Sequence, residues 1–176
     1  MEFVVTEAED RDAEELSTLV NSAYRGDSSR AGWTTEADLL GGQRTSAELL
    51  RGDMSNPHSR ILCLREATAG PILACVFLRR QDRECYLGML TVKPNIQTRG
   101  IGKYLMQKAE AYAKNWGAER IVLSVIQVRE TLMAWYERRG YKKTGHSRPF
   151  PYGDLQFGHP KRDDLYFVIF EKSLNA

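Results

Sequence analysis

Residues 90–103 have the sequence Leu-Thr-Val-Lys-Pro-Asn-Ile-Gln-Thr-Arg-Gly-Ile-Gly-Lys, which is the most informative segment of the chain. A strand is predicted to end near Val92, because Pro94 lacks the amide donor that a continuing strand needs. Two glycines then let the backbone approach a ligand closely, and a helix begins at once. The free N–H groups and partial positive charge of a helix start suit a phosphate or pyrophosphate. Arg99 and Lys103 add full charges there. The segment therefore predicts a phosphate-binding loop, although the glycines alone are equally compatible with a tight turn.

The spacing of the glycines separates the known classes of phosphate-binding loop. A P-loop needs Gly six residues before its Lys and Ser or Thr after it, but Gln97 and Tyr104 occupy those positions. A dinucleotide-binding fingerprint needs a third small residue where this chain has Leu105. Both of these nucleotide-binding classes are therefore disfavoured.

The pattern Gln97-x-x-Gly100-x-Gly102, preceded by Leu90-x-Val92-x-Pro94, resembles the acyl-CoA signature of the GNAT superfamily of N-acyltransferases. The resemblance implies that the loop amides hold the pyrophosphate of coenzyme A and that the strand before the loop pairs with the pantetheine arm. It implies acetyl-CoA as co-substrate. The coenzyme-binding residues predicted in this way are Leu90, Thr91, Val92, Gln97, Thr98, Arg99, Gly100, Ile101, Gly102, Lys103 and Arg129.

A second segment, Trp-Tyr-Glu-Arg-Arg-Gly-Tyr at 135–141, resembles the helix-ending aromatic segment of the same superfamily. The resemblance places Tyr136 beside the thioester sulfur. Two positions depart from the family pattern: Arg129 stands where many members have Asn, and Leu132 where many have Ala. At the first position, the predicted contact with the coenzyme is made through the guanidinium of Arg129.

Acylation of an amine needs a neutral nucleophile, support for an oxyanion and a proton for the departing thiolate. Tyr136 suits the last need, because a phenol with a pKa near ~10 stays protonated at neutral pH; the alternative is a packed aromatic at a helix end. A backbone N–H at the end of the strand before the loop suits the oxyanion. Glu36 is the candidate general base, with a solvated loop carboxylate as the alternative, and Asp154 and His146 are further candidates.

The acceptor site is predicted to be built from aromatic and polar residues in two loops, with a packed loop as the alternative. Its predicted residues are Tyr24, Trp33, Thr34 and Tyr152, beside Glu36 and within a wall that includes 148–154. The pairs Arg138-Arg139 and Lys142-Lys143 are interpreted as a solvated helix end.

The pattern of apolar residues predicts an α/β (α+β) fold with a central mixed sheet flanked by helices, and the resemblance implies that this sheet is largely antiparallel, as in a GNAT-like fold. Strands are predicted at 3–5, 60–66, 71–80, 84–92, 121–125 and 165–170, and helices at 10–24, 102–116 and 130–139. Residues 25–44 are predicted to be mostly loop, and Thr45 with Glu48 to form a capping box that opens a short helix. The whole chain, 1–176, is predicted to be one N-acetyltransferase domain.

Composition narrows the functional classes further. The 176 residues are 42% hydrophobic and 27% charged, with a net charge of +2, which gives no electrostatic case for nucleic acid or an anionic membrane as partner. The three cysteines lack metal-site spacing, and neither His58 nor His159 has ligand partners at helical spacing, so no metal is predicted. Ser124 lacks a nucleophile elbow. The acidic N-terminus and short apolar runs predict a cytoplasmic protein.

Three functions remain open from the sequence. The first is an acetyl-CoA-dependent N-acetyltransferase acting on a primary amine of a small molecule. The second is a protein acetyltransferase acting on an N-terminus or a lysine, and the third is a non-catalytic acyl-CoA-binding module. The predicted partner is a small-molecule amine, and a homodimer is left open.

Overall fold

A computed structural model describes residues 2–25, 29–30, 32–97, 99–154 and 158–175. Its strands are β1 (Val4–Glu7), β2 (Leu40–Gly41), β3 (Ser59–Arg65), β4 (Ala74–Gln81), β5 (Glu84–Val92), β6 (Arg120–Ile126), β7 (Lys142–Pro149), β8 (His159–Pro160) and β9 (Tyr166–Ser173). Its α-helices are α1 (Ala13–Tyr24), α2 (Ala47–Ser55), α3 (Ile101–Asn115) and α4 (Glu130–Glu137). Short 3-10 turns occupy Asp10–Asp12 and Pro94–Ile96.

Seven of these strands form one mixed sheet in the order β1-β3-β4-β5-β6-β9-β7, and β2 pairs with β8 in a separate two-stranded ribbon. Within the described strands, β5 and β6 run parallel and the other neighbours run antiparallel. The predicted mixed, largely antiparallel sheet flanked by helices is therefore confirmed.

Helices cover both faces of the sheet, and β3 shows why the central strands are apolar at almost every position. Leu62 and Leu64 belong to the cluster that packs against α3, whereas Ile61 and Cys63 belong to the cluster with α1 and α2. Successive residues of a strand point to opposite faces, so a sheet that is covered twice needs an apolar residue at every position.

Three local predictions were wrong. The edge strand β7 was missed because its sequence, Lys-Lys-Thr-Gly-His-Ser-Arg-Pro, is polar and mostly exposed, and polar edge strands lack the apolar pattern that marks a strand. The ribbon of β2 and β8 was missed because each of its strands has only two residues, too few to show an alternating apolar pattern. The cap of α2 is Ser46, whose hydroxyl accepts from the amide of Leu49, so the capping box predicted at Thr45 and Glu48 does not form.

Strands β5 and β6 separate in the middle of the sheet. Their pairing is confined to Glu84–Tyr86 against Arg120–Val122. Beyond it, β5 carries a bulge against β4, and Met89 there has a positive φ of 55°. A bulge increases local twist and redirects the strand, so the second half of β5 diverges from β6 and opens a gap between them.

Candidate active site

The gap between β5 and β6 exposes main-chain groups of β5. The Tyr24 hydroxyl donates to the carbonyl oxygen of Leu90, and Nε2 of Gln97 donates to the carbonyl oxygen of Val92 over 3.0 Å. These carbonyls therefore face away from β4. Because an extended residue directs its N–H and C=O to the same side, the amides of Leu90 and Val92 face the gap as well.

The start of α3 supplies a second set of main-chain donors. Gly100 precedes the helix in the left-handed conformation, with φ 75°, which glycine adopts without strain. The amides of the first helical turn have no partner within their own helix. A Cβ on Gly102 would lie 3.4 Å from the Trp135 ring and 3.5 Å from Val92. The backbone of Gly102 therefore lies in a narrow slot between α4 and the end of β5.

Gln97 fastens the loop before α3 to the chain segment after α1. Its Oε1 accepts from the amides of Trp33 at 2.8 Å and Thr34 at 3.3 Å, and its Nε2 donates to the Thr34 hydroxyl at 2.7 Å as well as to Val92. These four bonds occupy the side-chain amide. Gln97 therefore positions the loop through contacts with protein.

A cavity of about 340 Å³ lies beside this loop, and we call it the α3 cavity. Its wall contains the cations Lys103, Arg138 and Arg139, and none of its described lining residues is Asp or Glu. The Arg139 guanidinium carbon lies 3.9 Å from the ring centre of Trp135. The Nε of Arg139 is buried and has no hydrogen-bond partner within the described residues. The cavity is thus suited to a polyanion with an apolar arm.

A cavity of about 460 Å³ lies on the other side of the same residues, and we call it the β6 cavity. The separated strands form part of its wall, through Leu87–Leu90 on one side and Leu123–Ile126 on the other. Pro149, Phe150 and Pro151 close it from the end of β7.

Four residues line both cavities: Tyr24, Leu90, Leu132 and Tyr136. Tyr136 is 7% exposed, and burial is the main reason why the pKa of its phenol is raised above the usual range. Its hydroxyl has no hydrogen-bond partner within the described part of the chain. Tyr24 differs, because its proton is donated to Leu90; burial raises the pKa of Tyr24 to about 12. Two protonated phenols therefore lie where the cavities meet, and the hydroxyl of Tyr136 forms no hydrogen bond with any described residue.

Glu36 is buried between two arginines in the wall of the β6 cavity. Its Oε1 accepts from Arg25 at 3.2 Å and its Oε2 from Arg129 at 3.3 Å. Arg129 also donates to the carbonyl oxygen of Thr34 at 2.5 Å. Because each carboxylate oxygen has a cationic partner, this ion triad fixes the loop of Thr34 and Glu36 against the start of α4.

The model described as the acetyltransferase (GNAT) family matches residues 13–141, which is more than half of the chain. The chain belongs to the GNAT acetyltransferase family. The family predicted from the two motifs is thereby confirmed.

Individual relatives of this GNAT protein are distant. An uncharacterized N-acetyltransferase of Mycobacterium bovis is 32% identical over 101 residues, 57% of this chain and 63% of the relative. An uncharacterized protein of Bacillus subtilis, YdhI, is 28% identical over 74 residues, 42% of this chain and 45% of the relative. Both matches span less than two thirds of the length of these curated relatives.

Solved structures resemble this GNAT protein over nearly its full described length. The ribosomal-protein-S18-alanine N-acetyltransferase from Escherichia coli has a TM-score of 0.71 at 15% identity, over 99% of this chain and 96% of that chain. A putative phosphinothricin N-acetyltransferase has a TM-score of 0.70 at 16% identity, over 99% and 100% of the two chains. At these identities the likeness shows the fold alone.

Several predicted site residues of this GNAT protein lie beside a different cavity from the one expected, or are held by other residues. Trp33 and Thr34, predicted for the acceptor wall, line the α3 cavity, because Gln97 holds their backbone against the loop. Arg129, predicted for the coenzyme, lines the β6 cavity and is paired with Glu36. Glu36 itself, predicted as general base, is held in two ion pairs.

Other predicted residues lie outside both cavities. Thr91 is 1% exposed, lies opposite Cys75 of β4, and its hydroxyl donates to the carbonyl oxygen of Met89. Tyr152 uses its hydroxyl within its own loop, donating to the carbonyl oxygen of Arg162 and accepting from the amide of Leu165, both at 2.9 Å.

Of the remaining predicted loop residues, Lys103 lines the α3 cavity together with Gly100 and Gly102. Arg99 is exposed beside it, and the Ile101 side chain is buried in the core. Thr98 lies outside the described residues.

The further base candidates lie outside the described walls of both cavities: His146 is exposed on β7, and Asp154 is exposed after it.

Sequence analysis missed two sets of residues that line the cavities. Arg138 and Arg139 were interpreted as a solvated helix end, but they line the α3 cavity, because α4 ends beside the loop. Arg25 was not singled out at all.

Within the described residues no group of three or more His, Cys, Asp or Glu could hold a metal ion. Within the same ranges, no helix combines the length and apolar character needed to cross a membrane.

Proposed function

We propose that this GNAT protein transfers an acetyl group from acetyl-CoA to a primary amine of a small molecule. The observation that carries the proposal is the place of Tyr136. Its uncommitted hydroxyl stands where two cavities meet, at the point where β5 leaves β6. A transferase needs two sites that share one reacting point, and this geometry supports that requirement.

The α3 cavity fits coenzyme A. The first-turn amides of α3, beside Gly100 and Gly102 in the cavity wall, suit a pyrophosphate. Lys103, Arg138 and Arg139 offer three cations, and the unpartnered Nε of Arg139 is a donor in need of an acceptor. The amides of Leu90 and Val92 suit the pantetheine arm, which carries amide groups of its own. When bound, acetyl-CoA supplies the acyl group as a thioester.

The residues at the junction divide the remaining tasks. Tyr136 holds a proton at its hydroxyl oxygen, where a departing thiolate needs it, and its raised pKa keeps that proton in place. A main-chain amide of β5 facing the gap suits the carbonyl oxygen of the acyl group. Orienting amine and thioester from two sides of the junction supplies proximity, which is worth up to ~7–11 kcal/mol. Since Glu36 is held by two arginines, we assign it to positioning.

The β6 cavity favours a small acceptor over a protein segment. Its volume of about 460 Å³ falls within the ~300–1,000 Å³ of small-molecule sites. Pro149, Phe150 and Pro151 wall its end. We therefore retain the small-molecule amine as the proposed acceptor.

The proposal is tested with a panel of primary amines, acetyl-CoA and detection of free coenzyme A by a thiol reagent. The three cysteines are buried, and burial raises the pKa of Cys75 to about 12 and of Cys85 to about 11, so the folded protein contributes little thiol background. Amine-dependent release of coenzyme A supports the proposal. Coenzyme binding without release for any amine would assign the chain to non-catalytic acyl-CoA binding instead.

A further inference from the structure

The charged residues in the wall of the β6 cavity indicate which chemical groups the acceptor carries. Among its described lining residues are five arginines and one acidic residue. The acidic residue, Glu36, is already shared by Arg25 and Arg129. The other three arginines, Arg44, Arg79 and Arg148, form no ion pair within the described residues. The wall of the cavity therefore has a positive excess.

These three arginines come from separate elements, and two of them, Arg44 and Arg79, are stacked on aromatic rings. The backbone of Arg44 donates to Oδ1 of Asn21 at 2.6 Å, and its guanidinium carbon lies 5.8 Å from the Tyr24 ring centre. The guanidinium carbon of Arg79, on β4, lies 5.4 Å from the ring centre of Tyr86. Such stacking orients a guanidinium while leaving its edge free for a ligand.

Arg148 lies near the end of β7, the edge strand beyond β9, where it pairs with Phe167. Nearby negative charge is limited. Asp53 on α2 acts electrostatically on Arg44 and Arg79, but it does not line the cavity, and burial raises the pKa of its carboxyl. The charge balance of the described lining residues therefore favours an anionic ligand.

Resting on the proposed function, we infer that the acceptor is a primary amine that carries its own anionic group, a carboxylate or a phosphate. Arg44, Arg79 and Arg148 bind that group, and the amine points to the junction of Tyr24 and Tyr136. Guanidinium groups match both anions through paired N–H donors. A cationic amine without an anion would be repelled from the same wall.

This charge balance also affects the protonation of the bound amine, for which no general base has been assigned. A positive field disfavours the ammonium form of a bound amine, because like charges destabilise each other. The anionic group of the acceptor binds the three arginines and offsets the electrostatic cost of entry, while the amine at the junction lies near Arg129, which acts electrostatically on both Tyr24 and Tyr136. The neutral nucleophile is thereby favoured without a free carboxylate at the junction.

The test uses matched pairs of amines that differ in the anion alone: leucine against leucinamide, glutamate against its diamide, and O-phosphoethanolamine against ethanolamine. Acetylation is measured as kcat/KM for each member. Binding is measured independently by calorimetry with coenzyme A present. The carboxylate and phosphate pairs distinguish the two kinds of anion. The variants are Arg44→Gln, Arg79→Gln and Arg148→Gln, with the exposed, cavity-distant Arg83→Gln as matched control.

We expect the anionic member of at least one pair to be preferred at least about tenfold, the loss typical of a charged hydrogen bond. At least one cavity variant should reduce that preference by a similar factor while leaving the KM of acetyl-CoA unchanged, and Arg83→Gln should not. Equal or better acetylation of all neutral members would overturn the inference and leave the proposed function intact. If no member is acetylated, the proposed function is judged by the wider amine panel alone. Calorimetry then decides the inference: tighter binding of anionic members upholds it, and no preference overturns it.

Discussion

Replacing Tyr136 by Phe removes one hydroxyl from the junction and leaves the packing around it. The ring of Tyr136 contacts those of Trp135 and Tyr141, with centroids 5.2 and 5.8 Å apart, and these contacts persist in the variant. Because the hydroxyl has no partner among the described residues, its loss breaks no hydrogen bond within that part of the chain. We expect the free energy of unfolding to change by less than about 1 kcal/mol.

The catalytic effect of the same change should be large. General acid catalysis contributes typically ~10²–10⁴-fold, which is about 3–5 kcal/mol of activation free energy. At saturating substrates, kcat for amine acetylation should therefore fall at least about 100-fold. The KM of acetyl-CoA should change little, because the α3 amides and the cations of the α3 cavity are untouched.

Two further tyrosines serve as controls. Tyr141→Phe removes a buried hydroxyl that donates to Glu110 at 2.9 Å; it should cost about 1.5–3 kcal/mol of stability and leave kcat unchanged, since Tyr141 lines neither cavity. Tyr24→Phe should reduce kcat less than Tyr136→Phe, because the Tyr24 proton is donated to Leu90. A fall of less than threefold in Tyr136→Phe would refute the reasoning and point to water as the proton donor.

Three other predictions test the coenzyme loop, the ion triad and the buried phenols. Gly102→Val places methyl groups against Trp135 and Val92, so calorimetry should show coenzyme A affinity at least tenfold weaker with circular dichroism unchanged; equal affinity would mean that the glycine serves only the turn. Glu36→Gln leaves two buried arginines without a carboxylate, so chemical denaturation should show a loss of about 3 kcal/mol; unchanged stability with loss of the acidic limb of the pH profile of kcat would instead make Glu36 the base. The pKa of Tyr24 is about 10 in the unfolded chain and about 12 in the folded protein. Protonated Tyr24 therefore stabilises the folded state below pH 10, and this stabilisation falls by about 1.4 kcal/mol per pH unit as the pH rises towards 12. Tyr24→Phe should flatten that alkaline decline in denaturation experiments, and an unaltered decline would contradict it.

The sequence was most informative where a local signal sets the backbone. Pro94 ends a strand, Gly100 permits a positive φ, and a helix follows, so the coenzyme loop could be located within a few residues. The apolar pattern of β3 and β4 likewise identified the centre of the sheet, because strands covered on both faces have few polar residues.

Contacts between distant segments could not be predicted in this way. Glu36 and Arg129 are 93 positions apart, and nothing in either neighbourhood indicates that they pair. Gln97 lies within the expected motif, yet its hydrogen bonds to Trp33 and Thr34, which place those residues beside the α3 cavity, depend on tertiary structure. Assignment of a residue to one cavity or the other requires the fold.

The most direct test of the account is to identify the product by mass spectrometry with isotopically labelled acetyl-CoA. The account predicts that the label appears on the nitrogen of an added amine, and that this product requires the protein, the amine and an intact Tyr136. Label found only as free acetate, at a rate independent of every amine, would contradict it, because the β6 cavity would then admit water in place of an acceptor.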